Sequence, residues 1–176
     1  IDLHHIPQNG IGLNELYTSS AIVTIHDLIP YILPETVGRG YLERFLRDMP
    51  FIVNNSKAIL TVSEYSKNDI IKFFPSVNPD KIFVTPLAAN KNYKPLNKFN
   101  CIDYLKNKYS IDYPFILYIG GFSTRKNVKE LIIAFSKIQK SLKKDYKLVL
   151  CGSIRDEGIK LQELCKELLI DDKIIF

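Results

Sequence analysis

The sequence predicts an α/β protein in two pieces, each holding about half of a doubly wound parallel sheet flanked by helices. Three observations predict this. Short apolar runs recur along the chain and are mostly continuous, as in strands buried on both faces of a parallel sheet. Amphipathic helical patterns lie between them, which implies right-handed strand–helix–strand units. One polar stretch with two prolines breaks the rhythm near the middle.

The strand-like runs are residues 21–25, 58–62, 82–85, 115–119, 148–151 and 173–176. The first helical pattern, 40–55, carries Tyr41, Leu42, Phe45, Leu46, Met49, Ile52 and Val53, with Pro50 marking a kink or restart. The second, 64–74, opens after Ser63, a good N-cap, and stops at Pro75. The third, 127–142, aligns Val128, Leu131, Ile132, Phe135, Ile138 and Leu142 on one stripe. The fourth, 156–169, repeats that spacing with Leu161, Leu164, Cys165 and Leu168. Between them, residues 86–100 read PLAANKNYKPLNKFN, polar and without apolar period, and form the expected linker. The pieces on either side are residues 1–92 and 93–176.

Composition bounds the function. Of 176 residues, 46% are apolar and 24% charged, so the chain can bury a core and is not a disordered, collagen-like or coiled-coil segment. No apolar run approaches the roughly 18 residues of a bilayer span, and no charged-then-apolar leader is visible. The first residue, Ile1, suits a fragment or a processed product. A net charge of +5 is compatible with an anionic ligand or membrane surface. It does not point to nucleic acid, because no stretch combines dense Arg and Lys with aromatics. Cys101, Cys151 and Cys165 are an odd count without a CxxC, which suits a reducing compartment. Cys151 and Cys165 lie in apolar runs and read as small core residues. No HxH, HExxH or Cys/His set forms a metal site, so no metal is assigned.

Three strand ends could carry chemistry. The first is YIGGFSTRKN, residues 118–127. Gly120 and Gly121 let the backbone approach a ligand closely. The following helix start offers free N–H groups and a positive dipole end, which favour a phosphate. Arg125 and Lys126 add two cations there, and Asn127 with Glu130 reads as a capping box. An ordinary glycine turn with two solvated cations is the plainer alternative. The loop has neither the Walker A nor the GxGxxG spacing. The second site is VTIHDLIP, residues 23–30. His26 there can hydrogen-bond a substrate, and Asp27 can orient it, cap the next turn or face solvent. The third is LTVSEYSK, residues 60–67, where Ser63 caps a helix and can also line a cleft.

Taken in order, TIHDLIP, TVSEYSKNDI, PDKIFVTPLAAN and YIGGFSTRKNVKELIIAF resemble the family-four retaining glycosyltransferases. The nearest likeness is to bacterial mannosyltransferase-like members that build surface polysaccharides, and it covers nearly the whole chain. The resemblance implies a GT-B architecture of two Rossmann-like domains facing across a cleft. Residues 1–92 would be the later part of the acceptor-side domain, with the interdomain segment. Residues 93–176 would open the nucleotide-sugar-binding domain. It implies that His26, with Asp27 beside it, serves the catalytic site and contacts the donor sugar. It implies that Lys126 grips the donor diphosphate, with Arg125 beside it and Gly120 and Gly121 giving backbone access. Ser63 and Asn127 would line the cleft. The chain departs from the commoner pattern at Gly121, where many relatives carry an arginine.

The family's glycine-rich loop would lie before Ile1, and its acidic E-x7-E motif after Phe176; Glu157, Glu163 and Glu167 do not have that spacing. The implied reaction transfers a hexose, mannose from GDP-mannose by likeness, to a glycan or lipid-linked acceptor. The implied partners are therefore a nucleotide sugar and that acceptor, without a metal or other cofactor. The implied place is the cytoplasm, peripherally at the inner face of the plasma membrane. The truncated chain alone is expected to be inactive. Two other readings remain open from sequence: a non-catalytic nucleotide-binding or scaffold half-protein, and another GT-B enzyme such as a nucleotide-sugar epimerase.

Overall fold

A computed structural model describes residues 3–13 and 20–176. The chain divides into two compact units, Ile1–Lys91 and Asn92–Phe176.

The first unit holds β1 (His4–Ile6), β2 (Ala21–Ile25), α1 (Ile29–Ile32), α2 (Arg39–Asn55), β3 (Ala58–Thr61), α3 (Glu64–Phe73) and β4 (Ile82–Val84). Its sheet is parallel in the order β1-β2-β3-β4. β1 is invisible to the apolar pattern because two of its three residues are histidines. Pairing with Ala21–Val23 reveals it. Ala21, Val23 and Ile25 of β2 are fully buried, and α2 lays Phe45, Met49, Ile52 and Val53 into the same core. Helix α2 does not restart at Pro50. A proline inside a helix costs about 3 kcal/mol, and burial of the apolar stripe on both sides of it offsets that cost. Helix α3 opens as its sequence predicts, with Ser63 Oγ accepting from the Ser66 N–H at 3.1 Å.

The second unit holds α4 (Lys98–Tyr109), β5 (Phe115–Ile119), α5 (Val128–Ile138), β6 (Lys147–Cys151), α6 (Asp156–Glu167) and β7 (Ile174–Ile175). Its sheet is parallel in the order β5-β6-β7. Phe122, Val128, Ile132 and Phe135 pack on Leu148 and Leu150 of β6 and on Leu161 and Cys165 of α6. The predicted apolar stripe of α5 stops at Ile138, where the chain tightens into a 3₁₀ turn over Gln139–Ser141, so Leu142 lies beyond the helix.

Three expectations are corrected. The last residues of the expected linker are helical: Asn97 caps α4 by accepting from the N–H groups of Phe99 at 2.9 Å and Asn100 at 3.3 Å. Helix α4 buries no residue completely, so its sequence carries no clean stripe. Strand β5 is not buried on both faces. It forms an edge of its sheet, and Ile116, Leu117 and Ile119 are exposed. Cys151, at the end of β6, is exposed rather than a core residue, whereas Cys165 is buried.

The cysteine difference is testable. Burial, with the Asp171 carboxylate adding to it, pushes the Cys165 thiol up to about 11. A thiol is reactive as the thiolate. Cys151 is therefore expected to alkylate in the native state at pH 8, with Cys165 reacting only after unfolding. Mass mapping of the labelled peptides checks this, and equal labelling of both would contradict the burial.

The exposed apolar surface carries a second prediction. Ile119 is 75% exposed, Phe99 76% and Leu169 85%, and the β5 edge is open among the described residues. Exposed apolar clusters and open strand edges promote association. The isolated 176-residue chain is expected to self-associate, seen as a sedimentation coefficient that rises with concentration. A monomer with a reversible, concentration-independent melt would contradict it.

Candidate functional site

In the second unit, β5 delivers the chain into a loop shaped by two glycines. The Gly120 N–H still donates to the Cys151 carbonyl at 2.9 Å, extending the ladder by one residue. A Cβ at Gly120 would lie 2.9 Å from the Tyr118 hydroxyl, and that hydroxyl donates to the Gly121 carbonyl at 2.7 Å. Tyr118 thus folds back over the loop. Around Gly121 nothing lies within 4 Å of a built Cβ, so this backbone faces open space. At Gly152, after β6, a Cβ would overlap the Gly120 carbonyl oxygen and press on the Phe122 ring. The glycine loop therefore rests directly on the end of β6.

Past the glycines, Thr124–Lys126 form a 3₁₀ turn, and Asn127 enters α5 at φ +52°. The predicted capping box is not formed. Its first residue needs an extended backbone, whereas Asn127 takes the left-handed one that redirects the turn into the helix, and its side chain caps nothing. The α5 start is consequently more open to an anion than the sequence suggests. Arg125 and Lys126 are both exposed, and among the described residues neither side chain makes an ion pair or a hydrogen bond. Two unpaired cations thus stand beside an uncapped helix start, which is chemistry suited to a phosphate. A cavity of about 390 Å³ opens next to this loop, lined by Gly121, Ser123, Ser153, Arg155 and Gly158 among others. Arg155 is a further cation that sequence reasoning missed. It lies four residues after the end of β6, beside the same cavity as Gly121.

In the first unit, His26 directly follows β2. Its N–H donates to Asn9 Oδ1 at 3.1 Å, and its carbonyl accepts from Ser66 Oγ at 3.0 Å. Its ring Nε2 lies 2.9 Å from the Pro7 carbonyl oxygen. Ser63 joins this set through Ser66, its hydroxyl 3.1 Å from Ser66 Oγ. Asp27 does not orient the imidazole. Its carboxylate accepts from the Ile29 N–H at 3.2 Å, which caps the short α1 turn, and the Pro7 carbonyl takes the histidine's partner position. His5 is occupied structurally, with Nε2 2.8 Å from Thr24 Oγ1. The fold thus groups His26 with Ser63, and Gly120 and Gly121 with Arg125, Lys126 and Asn127.

The family described as glycosyl transferases group 1 matches residues 103–176. O-antigen chain mannosyltransferase B of Escherichia coli is 32% identical over 136 residues, covering 75% of this chain and 34% of the relative. Residues 103–176 belong to the group 1 glycosyl transferases. Another group relative, O-antigen chain mannosyltransferase RfbU of Salmonella typhimurium, is 28% identical over 154 residues, covering 88% of this chain and 38% of the relative. The chain therefore spans a little over a third of the length of these curated relatives. Among solved structures, WaaG, a glycosyltransferase involved in lipopolysaccharide biosynthesis, aligns with a TM-score of 0.74 at 16% identity, covering 100% of this chain and 48% of that one. Anabaena Alr3699/HepE in complex with UDP and glucose aligns with a TM-score of 0.70 at 15% identity, covering 89% and 40%. These likenesses show the fold, the Rossmann-like halves of a GT-B glycosyltransferase.

Proposed function

We propose that the full-length protein carrying this chain transfers a hexose, mannose in the first instance, from a nucleotide diphosphosugar to a glycan or lipid-linked acceptor, in surface polysaccharide synthesis. The curated mannosyltransferase relatives support the sugar and the process. The observation that carries the reading is the pair of exposed, unpaired cations, Arg125 and Lys126, beside the uncapped start of α5 and within the family-matched residues.

In the reaction, the bond between the sugar's anomeric carbon and the diphosphate oxygen breaks, and the electron pair leaves with the diphosphate. A new bond forms from the acceptor oxygen to the same carbon on the same face, and the acceptor proton passes to the departing diphosphate. Charge grows on that diphosphate as the bond breaks. Cations and N–H groups aimed at it stabilise the transition state more than the ground state. Arg125 and Lys126 supply the cations, and Gly120 and Gly121 allow the phosphates close to the backbone. His26 holds the donor sugar. Asp27, spent on its cap, supports the His26 turn rather than moving a proton. The two side-chain cations take the place a divalent metal would otherwise fill at the leaving group, so turnover needs no metal.

The proposed donor and acceptor chemistry supports a peripheral protein at the cytoplasmic face of the inner membrane. The net charge of +5 supports contact with an anionic surface, and no helix among the described residues is long and apolar enough to cross a membrane. The test incubates the full-length protein with GDP-mannose and a lipid-linked or oligosaccharide acceptor, with and without EDTA. The expected product carries a new mannosidic bond of the donor's anomeric configuration, read by NMR, and EDTA leaves the rate unchanged. No transfer from GDP-mannose or any other nucleotide sugar would refute the proposal, and loss of activity in EDTA would refute its metal-free form.

A further inference from the structure

The residues around His26 show more than a strand end tied off. A carbonyl oxygen only accepts hydrogen bonds, so the 2.9 Å contact to Pro7 requires the proton on Nε2 of the His26 ring. In the neutral ring Nδ1 is then a bare acceptor, and among the described residues nothing bonds to it. The ring, the N–H and the carbonyl of His26 are each held separately, by Pro7, Asn9 and Ser66. Two of these three holds come from one short loop after β1.

That loop depends on Asn9. Its N–H donates to the Thr24 carbonyl of β2 at 2.8 Å, and its amide Nδ2 donates to the Tyr41 hydroxyl at 3.4 Å. The amide orientation follows from the network, because the His26 N–H needs an acceptor and only Oδ1 can be one. Asn9 is buried and takes φ +46°, a conformation asparagine tolerates better than most residues. Beside it, Gly10 at φ +73° packs where a Cβ would meet Val23 at 3.1 Å and Ile52 at 3.3 Å. The loop is thus seated on the core, and Asn9 links that seat to the His26 backbone while Pro7, two residues away, holds the ring.

From this we infer that Asn9 is a positioning residue for the transfer reaction: it registers the loop against His26, so that Pro7 holds the Nε2 proton and the bare Nδ1 is presented to a hydroxyl of the substrate. The inference rests on the function proposed above for its substrate, but its structural half does not. A bare nitrogen accepts from a hydroxyl and repels a phosphate oxygen. His26 is thereby assigned to the sugar, and the anion is left to the second unit's cations.

The test uses the full-length protein with its histidine rings labelled with ¹⁵N. In the wild type, the His26 ring is expected to show a protonated Nε2 and a bare Nδ1, and its backbone amide to exchange slowly. A bare Nε2 or a fast-exchanging amide overturns the inference without any variant. Asn9→Gly accepts the positive φ and removes the acceptor. It is expected to mix the ring tautomers and lower kcat about 10²-fold, the scale of loss from an ångström of misplacement, with donor KM little changed. Asn9→Asp keeps an Oδ acceptor and is expected to restore the single tautomer and most of kcat. An Asn9→Gly protein with the wild-type tautomer and turnover overturns the inference, and so does an Asn9→Asp protein that restores neither. If the wild type transfers no sugar, the functional reading fails alone, and the ring and amide signals still judge Asn9.

Discussion

Replacing Lys126 with alanine in the full-length protein is expected to lower kcat by about 10²-fold or more, the loss typical of removing one stabiliser of a developing anion. The structure separates this effect from folding. Lys126 is exposed on the 3₁₀ turn before α5 and forms no ion pair among the described residues. Surface substitutions of this kind change stability by no more than about 0.5 kcal/mol. A drop in turnover with an unchanged melt therefore reports chemistry alone. Because the interaction strengthens as the leaving group charges, kcat is expected to fall more than donor affinity. Unchanged turnover at saturating donor would remove Lys126 from the mechanism. Lys126→Arg sharpens the result, since a planar fork does not reproduce a compact ammonium and rescue should be partial.

The Gly152→Ala substitution is expected to damage both stability and donor binding. A methyl group there would overlap the Gly120 carbonyl oxygen and press on the Phe122 ring at 3.0 Å. The first contact is with backbone, which cannot swing aside as a side chain can. Overpacking of this sort costs about 1–3 kcal/mol, occasionally more. In a unit of this size each kcal/mol lowers Tm by roughly 4–8 °C, so a fall on the order of 10 °C is expected by calorimetry. The loop forced off β6 also carries Gly121 and leads into the cation turn, so donor KM should rise. Gly121→Ala is the internal control. Nothing lies within 4 Å of a Cβ at that position, so it should leave the melt unchanged and affect only a ligand that approaches the backbone closely. An unaltered melt for Gly152→Ala would show that the loop does not rest on β6.

Both substitutions follow strands visible from the pattern of residues, yet the glycine loop and the His26 site differ in how much was legible. The GG…RKN run could be read as a phosphate-binding loop because every group involved falls within ten residues. Even there, the capping box failed. The same letters at Asn127 and Glu130 serve a box only if the first residue is extended, and the 3₁₀ turn before it makes φ positive. At His26 the motif singled out a candidate residue but not its partners. The adjacent Asp27 was the obvious candidate to orient the ring. It is instead spent on the Ile29 N–H, and a backbone carbonyl, which no side-chain motif encodes, takes the role. Arg155 was missed because a lone arginine after a strand carries no spacing signal until the cavity beside Gly121 is seen.

The sequence by itself determined the alternation of strands and helices, the helix start at Ser63 and the placing of two cations after a glycine turn. These depend on interactions between residues a few positions apart, so the letters suffice. Only the tertiary structure decided that β5 is an exposed edge, that Cys151 faces solvent, and that the imidazole is held by Pro7. Those outcomes depend on which segments meet, such as Pro7 and Ser66, which stand 19 and 40 residues from His26. Burial and hydrogen-bond partnership between distant segments belong to the folded arrangement, and local periodicity carries no record of them.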